Sequence, residues 1–423
     1  MGGIQMKKKL LALLMLGLVS TGLVAQAEGE TLRMMCVGTD EDIYVDEYRA
    51  IAEEWSANNE WGATVEIEFY ENEQYKTKLT TLMASNAVPD MFFTWELSYL
   101  EPFVKGGKVI DITSYLDADT EWKESFAGGT LDTLTYDGSI YAVPTQKSLC
   151  VMFYNKQIFE ENGVAVPTTF DEFLTVCETL KANGVTPMAL CGTDAWIPAQ
   201  FVQQIAGGMA GDALFKAICA GEEVWNNETH VKAAEEVKAM ADAGWFQDGY
   251  IGMGPEESTA LFESGQTAMY FQGAWDAGRI MESSVGEVAG AFVLPAYDAQ
   301  YNNISVGSVD TSFALSQNCQ NADAAIDFLK YWTSEEVELN LLYSCGRIPA
   351  GVYEIDETQV APLMGEVLNL SSQQVGLTPW WDRQFGAGEG VEFNNTCVAV
   401  LGGEDAQSAF DALQQFSIDN ADR

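Results

Sequence analysis

The chain is poor in histidine and in positive charge. A single histidine, His230, occurs in 423 residues, and 21 Lys and Arg stand against 63 Asp and Glu, a formal net charge of −42. One imidazole excludes His-rich metal sites and any chemistry that needs two of them. A surface this acidic repels phosphate backbones and anionic membranes, whose binding relies on Lys and Arg, so nucleic acid is not an expected partner. The eight cysteines (Cys36, Cys150, Cys177, Cys191, Cys219, Cys319, Cys345 and Cys397) never form a C-x-x-C pair. Several sit in apolar runs such as Leu149-Cys150-Val151-Met152 and read as small buried hydrophobes. There is no G-x-S-x-G elbow, no H-E-x-x-H and no phosphate-cradling glycine loop. His230 lies in the polar stretch Asn227-Glu228-Thr229-His230 ahead of a helix, and reads as a surface or capping residue. Glycosidase chemistry needs only two acids at the right separation, so 63 acids leave it open. Nothing calls for a cofactor.

What is present suits a folded body. Hydrophobic residues make up 47% and aromatics 11% of the chain, enough for large cores, so the acidity does not signal disorder. The first residues carry Lys7-Lys8-Lys9, an apolar run from Leu10 to Val19, and Ala25-Gln26-Ala27. That order predicts a secretory signal peptide over 1–27, too short in its apolar part for a span. Removing its three lysines leaves 18 against 63, or −45. Cys36 follows Arg33-Met34-Met35, a context unlike a lipoprotein cleavage box. The expectation is an exported protein, periplasmic or extracellular.

Periodicity predicts alternating strands and helices. Leu32–Val37 reads as a strand, then Tyr44, Tyr48, Ile51, Ala52 and Trp55 recur at helical spacing, with Thr39 or Asp40 as caps. Val65, Ile67 and Phe69 alternate with polar residues, Tyr75 to Met83 return to helical period, and Met91–Phe93 is again strand-like. This pattern predicts a parallel α/β sheet, whose ligands sit beyond the strands' carboxyl ends, near Thr39-Asp40 and Trp95-Glu96. Helices follow at Phe170–Leu180, Val231–Met240 and Glu256–Phe262. Strands follow at Ala268–Phe271, Ala291–Leu294 and Thr311–Leu315, before a helix carrying Ala325, Phe328, Leu329 and Trp332. With no flexible linker, two lobes sharing strands are expected.

Tryptophan recurs beside short polar side chains in loop-like contexts: Trp95-Glu96, Asp194-Ala195-Trp196, Trp275-Asp276 and Trp380-Trp381-Asp382-Arg383. A sugar ring offers an apolar C–H face for an indole and a fringe of hydroxyls for carboxylate or guanidinium. Any one tryptophan packs more often as core, but four such pairs in turns point to a cleft. An aromatic cage for a cation uses the same residue types.

An ordered set of motifs completes the reading. Val88-Pro89-Asp90-Met91-Phe92-Phe93-Thr94-Trp95 leads to Tyr99-Leu100-Glu101-Pro102-Phe103 and Gly106-Gly107-Lys108-Val109-Ile110-Asp111. Asp137-Gly138-Ser139-Ile140-Tyr141-Ala142-Val143-Pro144, Phe153-Tyr154-Asn155-Lys156 and Pro167-Thr168-Thr169-Phe170-Asp171-Glu172-Phe173 follow. Phe262-Glu263-Ser264-Gly265-Gln266-Thr267-Ala268-Met269 and Gly273-Ala274-Trp275-Asp276 come later. Together, from about Glu30 onward, these resemble the extracellular solute-binding proteins of carbohydrate ABC importers (family 1). The resemblance implies an α/β, two-lobed periplasmic-binding-protein-like fold of type II, with a hinge of crossing segments. It implies lobe one over 28–147 plus 293–317, and lobe two over 148–292 plus 318–423. It implies a non-enzymatic monomer that binds a neutral mono- or oligosaccharide and delivers it to membrane permease subunits. Motif by motif it implies ligand contacts at Asp40, Glu41, Trp95, Glu96, Trp196, Trp275, Asp276, Asp310, Trp380, Asp382 and Arg383. Asp310 looks like a hydroxyl-binding acid. The alternatives are a polyamine or other cationic-solute binder, and a secreted glycosidase.

Overall fold

The computed structural model describes residues 30–420; the expected signal peptide, 1–27, lies outside the described residues. The chain begins with β1 (Thr31–Val37), a helix (Tyr44–Asn58), β2 (Thr64–Tyr70), a helix (Asn72–Ser85) and β3 (Met91–Thr94). β1 lies parallel to both neighbours, from Thr31 opposite Thr64 to Val37 opposite Tyr70, and at Met34 and Met35 opposite β3. The first helix buries Val45, Tyr48, Ile51, Ala52 and Trp55, a stripe at helical spacing that must lie on the sheet. Neither Thr39 nor Asp40 caps it. Thr39 instead donates through its backbone N and Oγ1 to the Asp42 carboxylate, at 2.8 and 3.1 Å. The second helix is capped by Glu71, which accepts from the backbone N of Glu73 and Gln74 at 3.1 Å.

β4 (Ala142–Asn155) is followed by a helix (Phe170–Ala182), β5 (Thr186–Ala189), helices Trp196–Cys219, Glu228–Asp242 and Pro255–Glu263, and β6 (Thr267–Gly273). Then come β7 (Ala289–Phe292), β8 (Ile304–Leu315), helices Ala322–Trp332, Glu335–Cys345 and Pro362–Ser372, β9 (Gly376–Thr378), and helices Glu389–Leu401 and Ala406–Asn420. The sheet runs β2-β1-β3-β8-β4-β6-β5, with β9 beside β8 and β7 beside β4. The two long strands do the connecting. β8 pairs with β9 through Ile304–Val306, with β4 through Gly307–Ala314, and with β3 through Ser312–Leu315. Past Leu149, β4 leaves β8 and pairs with β6 and β7.

The result is two cores. Leu32, Met34, Tyr48, Phe92, Val143, Phe313 and Trp332 belong to the first, while Met152, Phe173, Phe201, Met269, Phe292, Trp381 and Phe410 belong to the second. A satellite cluster beside the second holds Phe153, Tyr270, Leu342 and Ile348. The chain therefore crosses between lobes near 143–149, 306–313 and 342–348. This corrects the expected boundaries in two places. Leu294 and Val306 pack in the second core, not the first. The helices Ala322–Trp332 and Glu335–Cys345 pack mainly on the first, with the Trp332 ring 4.6 Å from Tyr48 and 4.9 Å from Phe313. An amphipathic stripe announces that a helix must be covered, and does not say by which surface.

His230 also departs from expectation. It is fully buried, stacked between Trp225 at 5.8 Å and Phe410 at 5.9 Å. Its Nδ1 lies 3.1 Å from the Trp225 carbonyl and 3.2 Å from the Asn227 side-chain amide. Burial pushes its pKa down to about 4. The helix cap is Asn227, and His230, three residues on, turns inward. Seven cysteines are buried and free, and Cys219 is free and exposed.

Candidate functional site

Between the lobes lies a cavity of about 860 Å³. The first lobe supplies the loops after its three parallel strands: Thr39, Asp42 and Tyr44 after β1, Glu71, Asn72, Glu73, Gln74 and Lys76 after β2, and Trp95, Ser98 and Tyr99 after β3. Side chains gather there because parallel strands end together on one edge. The second lobe supplies Trp196 from the start of its helix, Tyr270 and Gln272 from β6, Trp275 and Asp276 just after β6, and Trp380 and Asp382. The crossing segments supply Asp310 and Arg347.

Three indoles form the second-lobe floor. The Trp275 ring centre lies 5.5 Å from Trp380 and 6.1 Å from Trp196. The Trp275 ring folds back over Gly273, where an added Cβ would come within 2.3 Å of it. The dihedrals of Gly273 suit any residue (φ −65°, ψ 152°), so glycine serves close approach here and not the turn. Trp95 faces the cavity from the other lobe but is only 6% exposed, wedged edge-on between Phe93 at 4.8 Å and Tyr99 at 4.7 Å.

Charge in the cleft is organised in pairs. Asp310 on β8 holds Arg383 Nη2 at 3.3 Å and Arg347 Nη1 at 3.6 Å. Arg383 also donates to the Val309 carbonyl at 3.1 Å and lies 4.1 Å over the Trp380 ring, while Arg347 lies 3.8 Å over Tyr44. Arg279 is pinned by Glu263 at 2.6 Å and Glu256 at 2.5 Å, and Lys76 by Glu73 at 2.6 Å. Asp276 accepts from Tyr270 Oη at 2.9 Å. Burial pushes its pKa up to about 7 although Tyr270 and Arg279 pull it down. Burial likewise raises Asp194, with Glu73 adding to the shift. Among the described residues no group of three or more His, Cys, Asp or Glu is arranged to hold a metal ion.

Eight of the residues singled out from sequence line this cavity: Trp95, Trp196, Trp275, Asp276, Asp310, Trp380, Asp382 and Arg383. Three do not. Asp40 points outward and pairs with Arg49 at 2.9 Å, and Glu41 is exposed beside it. Glu96 turns into the protein, fully buried, 3.9 Å from Arg383. Burial pushes its pKa up to about 7, against the pull of Arg383. The single acid of Asp310 is thus already bound by two guanidinium groups and presents a fixed ionic cluster, not a free carboxylate. Sequence reasoning passed over Asp42, Tyr44, Lys76, Tyr99, Tyr270 and Arg347. Tyr44 was absorbed into a helical stripe. Arg347 carried one signal, its place directly after Gly346, which ends a helix in the left-handed conformation at φ 67°.

Comparison with known proteins agrees with this architecture. The sequence profile of the bacterial extracellular solute-binding proteins matches residues 43–338. The multiple sugar-binding protein of Streptococcus mutans is 25% identical over 299 residues, 68% of each chain. The maltotriose-binding protein of Pyrococcus abyssi is 24% identical over 71% of this chain and 63% of its own. A solved structure from work on xylan utilization by Caldanaerobius polysaccharolyticus superposes with a TM-score of 0.85 at 28% identity, covering 91% of this chain and 99% of that one. The chain belongs to the bacterial extracellular solute-binding proteins, and its two-lobed fold is theirs.

Proposed function

We propose that this solute-binding protein captures a neutral oligosaccharide between its lobes and hands it, as an exported monomer, to the permease subunits of a carbohydrate ABC importer. The observation that carries the reading is the floor of Trp196 and Trp275, seated on the buried Trp380 and bordered by acids and amides. Indoles cover the C–H faces of sugar rings while the polar fringe takes the hydroxyls. The cavity lies toward the upper end of the 300–1,000 Å³ range of small-molecule sites, which favours several sugar units over one. The names of the two curated relatives, a multiple sugar binder and a maltotriose binder, support the same ligand class. Binding would favour closure only by the ligand's extra affinity for the closed state. The family's binding role supports capture without turnover, in preference to a glycosidase.

The acids that line the cavity keep one rival in view, a polyamine or other cationic solute. Three of the nine acids that line it are already paired with a cation: Asp310 with Arg347 and Arg383, Glu73 with Lys76, and Glu256 with Arg279. That pairing takes these carboxylates from a cationic ligand and favours the neutral one. Isothermal titration with maltotriose, raffinose, stachyose, xylotriose and chitotriose decides between them. At least one should bind, and Trp275→Ala should weaken it by about thirtyfold, ~2 kcal/mol for the lost ring contact. Silence from all five together with binding of spermidine would establish the rival.

A further inference from the structure

Beneath the tryptophan floor runs an unbroken chain of hydrogen bonds. Trp380 Nε1 donates to Gln200 Oε1 at 2.9 Å, and Gln200 Nε2 donates to Gln272 Oε1 at 2.6 Å. Gln272 Nε2 donates to Tyr270 Oη at 3.2 Å, and Tyr270 Oη donates to Asp276 at 2.9 Å. Gln200, Gln272, Tyr270 and Trp380 are each no more than 3% exposed. The chain has a direction, because an indole N–H can only donate. Gln200 must therefore turn its oxygen to Trp380 and its amide NH₂ to Gln272. Gln272, whose oxygen also accepts from the Gly273 backbone at 3.0 Å, must turn its NH₂ to Tyr270. The Tyr270 proton is left for Asp276. Trp380, Gln272, Tyr270 and Asp276 all line the cavity, whereas Gln200, which joins Trp380 to the others, does not. Trp380 in turn carries Arg383 over its ring, and Trp275 packs between the two ends above Gly273.

We propose that Gln200 is a positioning residue for ligand binding: it fixes the Trp380 indole and, through Gln272 and Tyr270, the Asp276 carboxylate, without touching the ligand. The inference rests on the saccharide-binding reading of the cleft. A buried amide with both ends satisfied locks its neighbours' orientation, and an apolar replacement leaves the Trp380 N–H with no acceptor. The loss appears as a badly placed floor, since a binding constellation must be held by the shell that supports it.

The test is a double-mutant cycle titrated with the tightest binder among the five oligosaccharides above. Gln200→Leu should weaken binding about tenfold, and Trp380→Phe, which keeps a ring but drops the N–H, should also weaken it. The double variant should bind worse than Trp380→Phe alone, but by less than Gln200→Leu loses by itself, because only the Asp276 arm is left to lose. Wild-type affinity in folded Gln200→Leu, or losses that multiply in the double variant, would overturn the proposal. If Gln200→Leu does not fold, Gln200→Glu replaces it. That side chain keeps the acceptor for Trp380 and loses its donor only when ionised, so its deficit relative to wild type should grow with pH; a constant deficit overturns the proposal. If wild type binds no oligosaccharide, the sugar reading fails on its own. The indole N–H resonance of Trp380, the one missing from Trp380→Phe, then decides for Gln200. It should shift and exchange faster in Gln200→Leu, and an unmoved resonance overturns the positioning role.

Discussion

At the level of single residues, two positions turn burial into measurable behaviour. Gly273 is held to glycine by the Trp275 ring lying against it, so Gly273→Ala should push that ring off its seat. Saccharide affinity is expected to fall about tenfold while the melting temperature changes little, since the backbone there suits alanine. Titration calorimetry beside a thermal melt separates the two. His230 acts on stability instead. Its folded pKa of about 4 lies below the ordinary 6.5, so the unfolded chain takes up a proton first as pH falls. The stabilisation from keeping it neutral is complete above about 6.5 and drains away toward 4, amounting to ~2 kcal/mol lost by pH ~5. Glu96 and Asp276, raised to about 7, work the other way and add stability as pH falls through 7. Urea unfolding of His230→Phe against wild type isolates the histidine: the variant's relative stability should rise by about that amount between neutral and mildly acidic pH. A pH-independent difference would show that the imidazole is not kept neutral.

At the level of elements, β8 carries more than its pairing. It places Asp310 where two buried guanidinium groups from different parts of the chain converge. Asp310→Ala leaves both buried charges without their shared partner, and is expected to cost ~3 kcal/mol or more, read as a lower urea midpoint. A loss near zero would mean that Glu96 and the Val309 carbonyl suffice to hold Arg383. The elements themselves were largely legible beforehand. The alternation of Val65, Ile67 and Phe69 and the helical stripe of Tyr48, Ile51 and Trp55 state their period directly, because one face of each had to be covered. The direction of a side chain at an element's end was not legible. Trp95 and Glu96 are neighbours, yet one faces the cleft and the other the interior. Nor was the lobe to which Ala322–Cys345 belongs, since period reports a face and not its partner. The cluster around Asp310 escaped for a related reason: Arg347 and Arg383 reach it from 37 and 73 residues along the chain, and no local pattern joins them.

At the level of the whole molecule, the acidity acts across the cleft. Burial leads the upward shift of Asp194, Glu256 and Asp276, and the next upward push on each comes from an acid on the first lobe, Glu73 for Asp194 and Asp42 for the other two. Like charges thus face each other between the lobes and oppose closure. Raising ionic strength from ~0.01 M to ~0.15 M shortens the screening length from about 30 to about 8 Å. Affinity for a neutral saccharide is therefore expected to tighten severalfold over that range by calorimetry; an unchanged affinity would show that interlobe repulsion has no part in closing. The three crossings have a consequence of another kind, in the order of synthesis. The first core opens at Leu32 but needs Phe313, Trp332 and Leu341 to be complete. At ribosomal speeds of ~5–20 residues per second, the roughly 200 residues between Val143 and Leu341 take on the order of 10–40 s to make. For that interval the amino-terminal lobe lacks Phe313, Trp332 and Leu341 and cannot complete its core.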